Sequence, residues 1–295
     1  MVNIGKSDDA PPAAAGGAPP GAGQPGVSDS SAPLLRLRGV GKSFGPVRAL
    51  ADVDLDIPAG QVTALVGDNG AGKTTLVKCV AGIWEPSGGE MLWNGRPVHI
   101  RSPKDASALG IATVYQDLAL CDNLDIVQNM MLGHERLSYG ILDEISMEKT
   151  AQQTLSDLAV TTVRSVRQTV GSLSGGQRQS VAVAKAVMLD ARLVIMDEPT
   201  AALGVSQTEL VLSLITRLAS RGHAVIMISH NLNDIFRVAD RIAVLYLGRL
   251  VAQGPASEFD RQSVVDIMTT GASTRRGNGN SGEPAGSRDM SGLED

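Results

Sequence analysis

The sequence is poor in the features that mark several large classes of protein. Two cysteines among 295 residues, Cys79 and Cys121, give neither a disulfide framework nor a metal-like spacing, so both read as buried structural thiols. No run approaches the roughly 18 apolar residues needed to span a bilayer. The stretch Met1 to Asp9 lacks the apolar core of a secretory signal. These absences predict a chain kept in the cytoplasm, whose contact with a membrane is peripheral and made through a partner. Lys and Arg number 26 against 31 Asp and Glu, for a net charge of −5, and no basic block is dense enough to mark a nucleic-acid surface. No nucleic-acid partner is therefore expected. What remains, 43% hydrophobic and 19% charged residues, suffices for one sizeable core with room for an inserted subdomain.

Large apolar side chains are also scarce in residues 1–33, which are rich in Ala, Gly, Pro and Ser, and in the Gly, Ser, Arg and Asn of residues 271–295. Neither segment can bury enough surface to offset its ordering entropy, so both are predicted to be disordered, leaving a folded unit over 34–270. Within that unit Val53, Leu55 and Ile57 alternate with Asp52, Asp54 and Asp56, the pattern of a strand with one wet face. Residues 62–66, 193–196 and 224–228 are instead continuous apolar runs, as in central parallel strands covered on both faces. Helical signals lie between them. Ser102-Pro103 starts a short helix that should stop at Gly110. Ser206 with Glu209 predicts a capping box for a helix ended by Gly222. Residues from about Gln116 to Leu189 lack buried strands and read as a mostly helical insertion. Buried strands alternating with helices define an α/β domain with a parallel sheet.

The chemistry concentrates at the ends of those strands. After the run 62–66 come Gly67-Asp68-Asn69-Gly70-Ala71-Gly72-Lys73-Thr74 and then a helix predicted over 73–83, the strand–loop–helix context of a P-loop. Its glycines let backbone N–H groups approach a phosphate, and the helix N-terminus adds partial positive charge. Lys73 is placed for β- and γ-phosphates, Thr74 for Mg²⁺ and Thr75 for the α-phosphate. Asp197 and Glu198 follow the buried strand 193–196 at its carboxyl end, where Asp197 suits a Mg²⁺ contact and Glu198 a general base; taken alone, they also fit a plain strand-end turn. His230 follows a third buried strand and should emerge at the same sheet edge, next to a γ-phosphate, although a lone His is more often an ordinary surface or core residue. Gln116 ends the strand over 112–115 and is a candidate for Mg²⁺ or the attacking water.

Leu173-Ser174-Gly175-Gly176-Gln177, about a hundred residues after the P-loop, opens an apolar helix over 178–189. Read alone, Ser-Gly-Gly is an ordinary helix-starting turn; it is also a second helix N-terminus able to meet phosphate. With the P-loop at 67–74, Gln116, the signature 173–177, the acidic strand end 193–198 and His230 in that order, residues 34–270 resemble an ATP-binding cassette domain. The resemblance implies a RecA-like P-loop core with an antiparallel β-subdomain and an inserted helical subdomain over about 116–189. It implies ATP and Mg²⁺ as cofactors and a head-to-tail homodimer, in which Ser174, Gly175, Gly176 and Gln177 of one copy cap the γ-phosphate held by the P-loop of the other. It also implies that Phe44 stacks on adenine, beside the plainer reading of a core Phe in a hairpin. Where the family usually reads Ser-Ala-Leu-Asp, this chain has Ala201-Ala202-Leu203-Gly204, so a carboxylate expected at the dimer interface is missing.

The short interval between motifs holds neither a coiled coil nor zinc-binding cysteines, and the chain carries one cassette. Residues 113–124, 177–184 and 199–204 resemble the ribose/fructose-type branch of monosaccharide importers, in a single-cassette form. The partners this implies are a second copy of the chain, transmembrane permease subunits and, indirectly, an extracytoplasmic sugar-binding protein, with the chain on the cytoplasmic face of the membrane. An exporter cassette and a regulatory ATPase acting on a soluble partner are the alternatives.

Overall fold

The computed structural model describes residues 33–272. Apart from Pro33, Gly271 and Ala272, the two segments expected to be disordered lie outside the described residues.

Two sheets form the frame. The first is antiparallel and contains β1 (Leu35–Phe44), β2 (Val47–Ile57), β4 (Gly88–Trp93) and β5 (Arg96–Val98), in the order β2-β1-β4-β5. The predicted alternation appears in β2, where Val53, Leu55 and Ile57 are buried and Asp52 and Asp54 exposed. Asp56 pairs across to Arg36 on β1 at 2.6 Å. The second sheet runs β12-β11-β3-β10-β9-β6, from β12 (Arg249–Pro255), β11 (Arg241–Tyr246), β3 (Val62–Val66), β10 (Ala224–Ile228), β9 (Leu193–Asp197) and β6 (Ile111–Val114). All its pairings are parallel except β11 with β12.

Parallel strands need covered faces, and the period of two supplies residues for both. Val194 and Met196 of β9 join the core under the helices, whereas Leu193 and Ile195 join the core facing β1 and β2. The first face is covered by α3 (Ile126–Met131), α4 (Glu144–Asp157), α5 (Gly175–Met188) and α6 (Val205–Ser220). On the second face α1 (Lys73–Val80) buries Leu76, Val77, Cys79 and Val80 between the sheets. A third cluster joins Ala64, Val66, Ile242 and Val244 to Ile235 of α7 (Leu232–Val238) and to Val264 and Ile267 of α8 (Arg261–Thr270).

The helix starting at Ser102 forms as read: α2 (Pro103–Ala108) carries a Ser102–Asp105 capping box, and Gly110 takes φ +80° just after it. The helix after the P-loop is shorter than the predicted 73–83, ending at Val80 with Ala81 as its cap. The capping box at Ser206 and Glu209 does not form. Gly204 takes the cap position, α6 begins at Val205, and Ser206 is already helical. The Glu209 carboxylate is drawn away to Arg237 on α7 instead. Gly222, at φ +92°, does stop the helix. The stretch 116–189, read as mostly helical, also contains a small hairpin, β7 (Leu137–Ser138) with β8 (Ile141–Leu142). Fully buried Asn129 on α3 accepts from Cys121 N–H at 2.7 Å and donates to Cys121, Leu124 and Asp125 carbonyls, so the chain after β6 is fastened onto α3.

Candidate functional site

Parallel register brings the predicted residues to one edge. Ile228 at the end of β10 pairs with Leu65 of β3 on one side and with Asp197 of β9 on the other. Val114 at the end of β6 pairs with Met196. The chain segments leaving these four strands carry Gly67, Glu198, His230 and Gln116, so residues far apart in sequence share the carboxyl edge of one sheet, where open parallel sheets collect ligands.

The loop from Gly67 to Gly72 is a tight cradle. Gly67 is buried, and a Cβ there would lie 2.3 Å from the Leu245 carbonyl oxygen. Gly72 caps α1 at φ +104°, and a Cβ on it would meet Ala49 O and Leu50 Cδ2 at 2.9 Å. Any side chain at either position would push the loop off its supports. Asp68, Asn69 and Gly70 are exposed while Ala71 is packed inward. Asn69 N–H donates to Asp68 Oδ1 at 2.7 Å and Ala71 N–H to Asp68 O at 3.1 Å, which fixes the curl. No side chain caps α1, and its first internal bond runs from Leu76 N–H to Gly72 O. The amides of Lys73, Thr74 and Thr75 therefore lack helical acceptors and face outward with the positive end of the helix dipole.

Lys73 Nζ donates to Gly67 O at 2.7 Å and Asp68 O at 3.0 Å, placing an ammonium inside the curl. Burial pushes its pKa down, opposed by Glu198, Asp68 and Asp197. The Asp197 carboxyl is pushed up, first by burial and then by Glu198, and is eased by Lys73 and Lys78. Burial is the largest cause of both shifts, and each is opposed by the other's charge, so a cation and a carboxylate are held together partly out of water, as is common at functional sites.

Glu198 is largely shielded, with its side chain 18% exposed, and adopts φ +51°. Its N–H donates to Ile228 O at 2.9 Å, which ties it to the strand preceding His230. His230 Nδ1 lies 2.9 Å from Glu198 Oε2, although the ring itself is 78% exposed. Gln116 is exposed two residues beyond β6 and makes no hydrogen bond to this cluster among the described residues. Thr74 is exposed and Thr75 half-buried at the mouth of the cradle. Among the described residues no group of three or more His, Cys, Asp and Glu could hold a metal unaided. Thr74 and Asp197 suit Mg²⁺ only with phosphate oxygens completing the shell, as Mg²⁺ is commonly held.

The signature stands apart from the cradle, with no hydrogen bond or ion pair joining the two among the described residues. Ser174 caps α5 in a capping box with Gln177, and Gln177 Nε2 donates to Thr162 O at 2.6 Å. Gly175 and Gly176 sit close to the start of α6: a Cβ on Gly175 would lie 2.8 Å from the movable tip of Leu203, Cδ2, and one on Gly176 would lie 3.0 Å from Gln207 Cβ. Phe44 ends β1, 42% exposed, and meets Trp84 edge to face at 4.8 Å with Lys42 5.2 Å from its ring. It is therefore a surface aromatic with one supported edge and not a core residue. Trp84, in turn under Lys78 at 4.5 Å, escaped the sequence reading because nothing local marks it.

A phosphate cradle on β3–α1, with acidic and histidine side chains on neighbouring strand ends, defines a P-loop nucleoside triphosphatase core. The sequence profile of the ABC transporter family matches residues 50–201. The fructose import ATP-binding protein FrcA of Rhizobium meliloti is 44% identical over 244 residues, covering 80% of this chain and 94% of that protein. The xylose/arabinose import ATP-binding protein XylG of Sulfolobus acidocaldarius is 42% identical, with 80% and 94% covered. The ribose import ATP-binding protein RbsA of Chromobacterium violaceum is 40% identical over 79% of this chain, which spans only 46% of that relative. Among solved structures, cbiO1 from Clostridium perfringens, part of the ABC transporter complex cbiONQ, superposes with TM-score 0.68 at 25% identity, covering 82% and 97% of the two chains. The ADP conformation of MJ1267, an ATP-binding cassette of an ABC transporter, gives TM-score 0.67 at 22% identity over 80% and 95%. The chain belongs to the ATP-binding proteins of ABC transporters, the subunits that bind and hydrolyse ATP.

Proposed function

We propose that this chain powers an importer for a monosaccharide, working as a homodimer beneath separate membrane permease subunits fed by an extracytoplasmic sugar-binding protein. The observation that carries the reading is the match to fructose and xylose/arabinose import proteins across 94% of their own length. Among the described residues no helix is long and apolar enough to cross a membrane, which accords with a peripheral subunit at the cytoplasmic face.

In this reading the amides from Gly67 to Thr75 and the Lys73 ammonium hold the phosphates of ATP, and Phe44 stacks on the adenine. Thr74, Asp197 and Gln116 take Mg²⁺, which when bound offsets charge on the phosphates. Glu198 orients and deprotonates the attacking water. His230, already 2.9 Å from Glu198, steadies that carboxylate and reaches toward the γ-phosphate. Ser174, Gly175, Gly176 and Gln177 of the second copy close over the γ-phosphate, since among the described residues no hydrogen bond or ion pair joins the cradle to the signature of the same chain. Closure then rests on charge-assisted contacts made only in the sandwich, which is what lets ATP select the closed state.

Uptake of a panel of labelled monosaccharides, in cells carrying Lys73→Ala at the native locus, tests the reading. Loss of one sugar or a related few is expected. Uptake intact across the panel would overturn the import role and leave the exporter or the regulatory ATPase.

A further inference from the structure

The Glu198–His230 pair is joined by one 2.9 Å contact, yet the His230 side chain is 78% exposed and gains little orientation from packing. Its geometry therefore depends on how the two loops that carry it are held. The loop after Glu198 is conformationally costly: Glu198 at φ +51° and Ala202 at φ +57° both occupy the left-handed region, which persists only where the surroundings impose it.

Beside the backbone bond from Glu198 N–H to Ile228 O, two side-chain links tie this loop and the α6 helix that follows it to α7. Thr200, two residues past Glu198 and 9% exposed, donates its hydroxyl to Asp234 Oδ2 at 2.8 Å. Asp234 is 5% exposed and lies on the first turn of α7, one turn beyond His230. Further out, Arg237 on α7 forms a two-pronged ion pair with Glu209 on α6. Glu209 and Arg237 are both exposed, so solvent weakens that pair. The Thr200–Asp234 bond is out of water, where a lost donor leaves a carboxylate oxygen unsatisfied.

We propose that Thr200 and Asp234 form a positioning clasp, which holds Glu198 and His230 in the relation that hydrolysis needs while contributing nothing to nucleotide binding. The proposal rests on the assignment of Glu198 and His230 to hydrolysis. The clasp touches neither phosphate nor water itself and acts only through the spacing of the two loops.

Steady-state ATPase kinetics of the full chain test it. Thr200→Val keeps the side-chain shape and removes the donor; kcat should fall about tenfold while KM for ATP moves less than about twofold, since small misplacements of catalytic groups are costly in rate. Thr200→Ser, which restores the hydroxyl, should recover most of that loss. In a His230→Ala background Thr200→Val should add little, because residues acting through one contact are not additive. A normal kcat for Thr200→Val, an equal loss with and without His230, or a parallel loss of nucleotide binding would each overturn the clasp. Glu198→Gln separates the two levels. If it hydrolyses at the parent rate, the site assignment itself fails. If it is inactive while Thr200→Val is normal, only the clasp fails.

Discussion

Replacing Lys73 with Met isolates what the cradle contributes to nucleotide affinity. The ammonium has three protons, and two are taken in place by Gly67 O at 2.7 Å and Asp68 O at 3.0 Å. The third is free to meet a phosphate oxygen without any rearrangement of the side chain. A charge-assisted hydrogen bond is worth about 1.5–3 kcal/mol, so Lys73→Met should raise Kd for ATP roughly 10- to 150-fold. The folded apo protein should be little affected, because two opposing changes accompany the substitution. Burial lowers the Lys73 pKa, so the charged form is disfavoured by folding and its removal relieves that cost. Against this, two bonds to carbonyls disappear. Melting temperature should then stay within about 3 °C of the parent. Titration with a fluorescent ATP analogue and a melt on the same sample measure both. A Kd within about threefold of the parent, with the fold intact, would refute the assignment of Lys73 to the phosphates.

Glu198→Gln, which keeps the shape of the side chain and removes the base, should arrest hydrolysis and accumulate an ATP-bound dimer; size-exclusion chromatography with Mg-ATP that shows only monomer would count against the sandwich. Burial pushes the Cys79 thiol up to about 11 from an ordinary 9.0, with Lys42 opposing. A raised folded value stabilises the protein below the unfolded value and loses that contribution as pH climbs through the folded one, so the Cys79 contribution should disappear between about pH 9 and 11. In the native protein at pH 8, DTNB should label Cys121, which is half-buried, and leave buried Cys79 untouched until denaturant is added. Equal labelling rates for the two thiols would contradict the packing of α1.

The capping box read at Ser206 and Glu209 shows where local pattern stops being informative. The residue types were right, but Arg237 from another element competes for the carboxylate, and the chain enters the helix two residues earlier at Gly204. The capping box at Ser102 formed because Asp105 has no such competitor: its carboxylate stays with the Ser102 and Arg101 amides. Phe44 was legible as an aromatic residue ahead of the cradle, but Trp84, which supports its edge, was not.

The sequence by itself determined the strand at 62–66 with its Gly-rich loop and the helix starting at Lys73, whose end it placed three residues too late, the buried strands at 193–196 and 224–228, and the helix opened by Ser174. These depend on glycine freedom, hydrophobic period and capping, which act over a few residues. Only the tertiary structure decided what stands beside what. Parallel pairing set Glu198 against His230, and Thr200 met Asp234 thirty-four positions away. Gly175 and Gly176 came to lie within 3.0 Å, Cβ to neighbour, of Leu203 and Gln207, a close approach set by a separate element that leaves no trace in the local pattern.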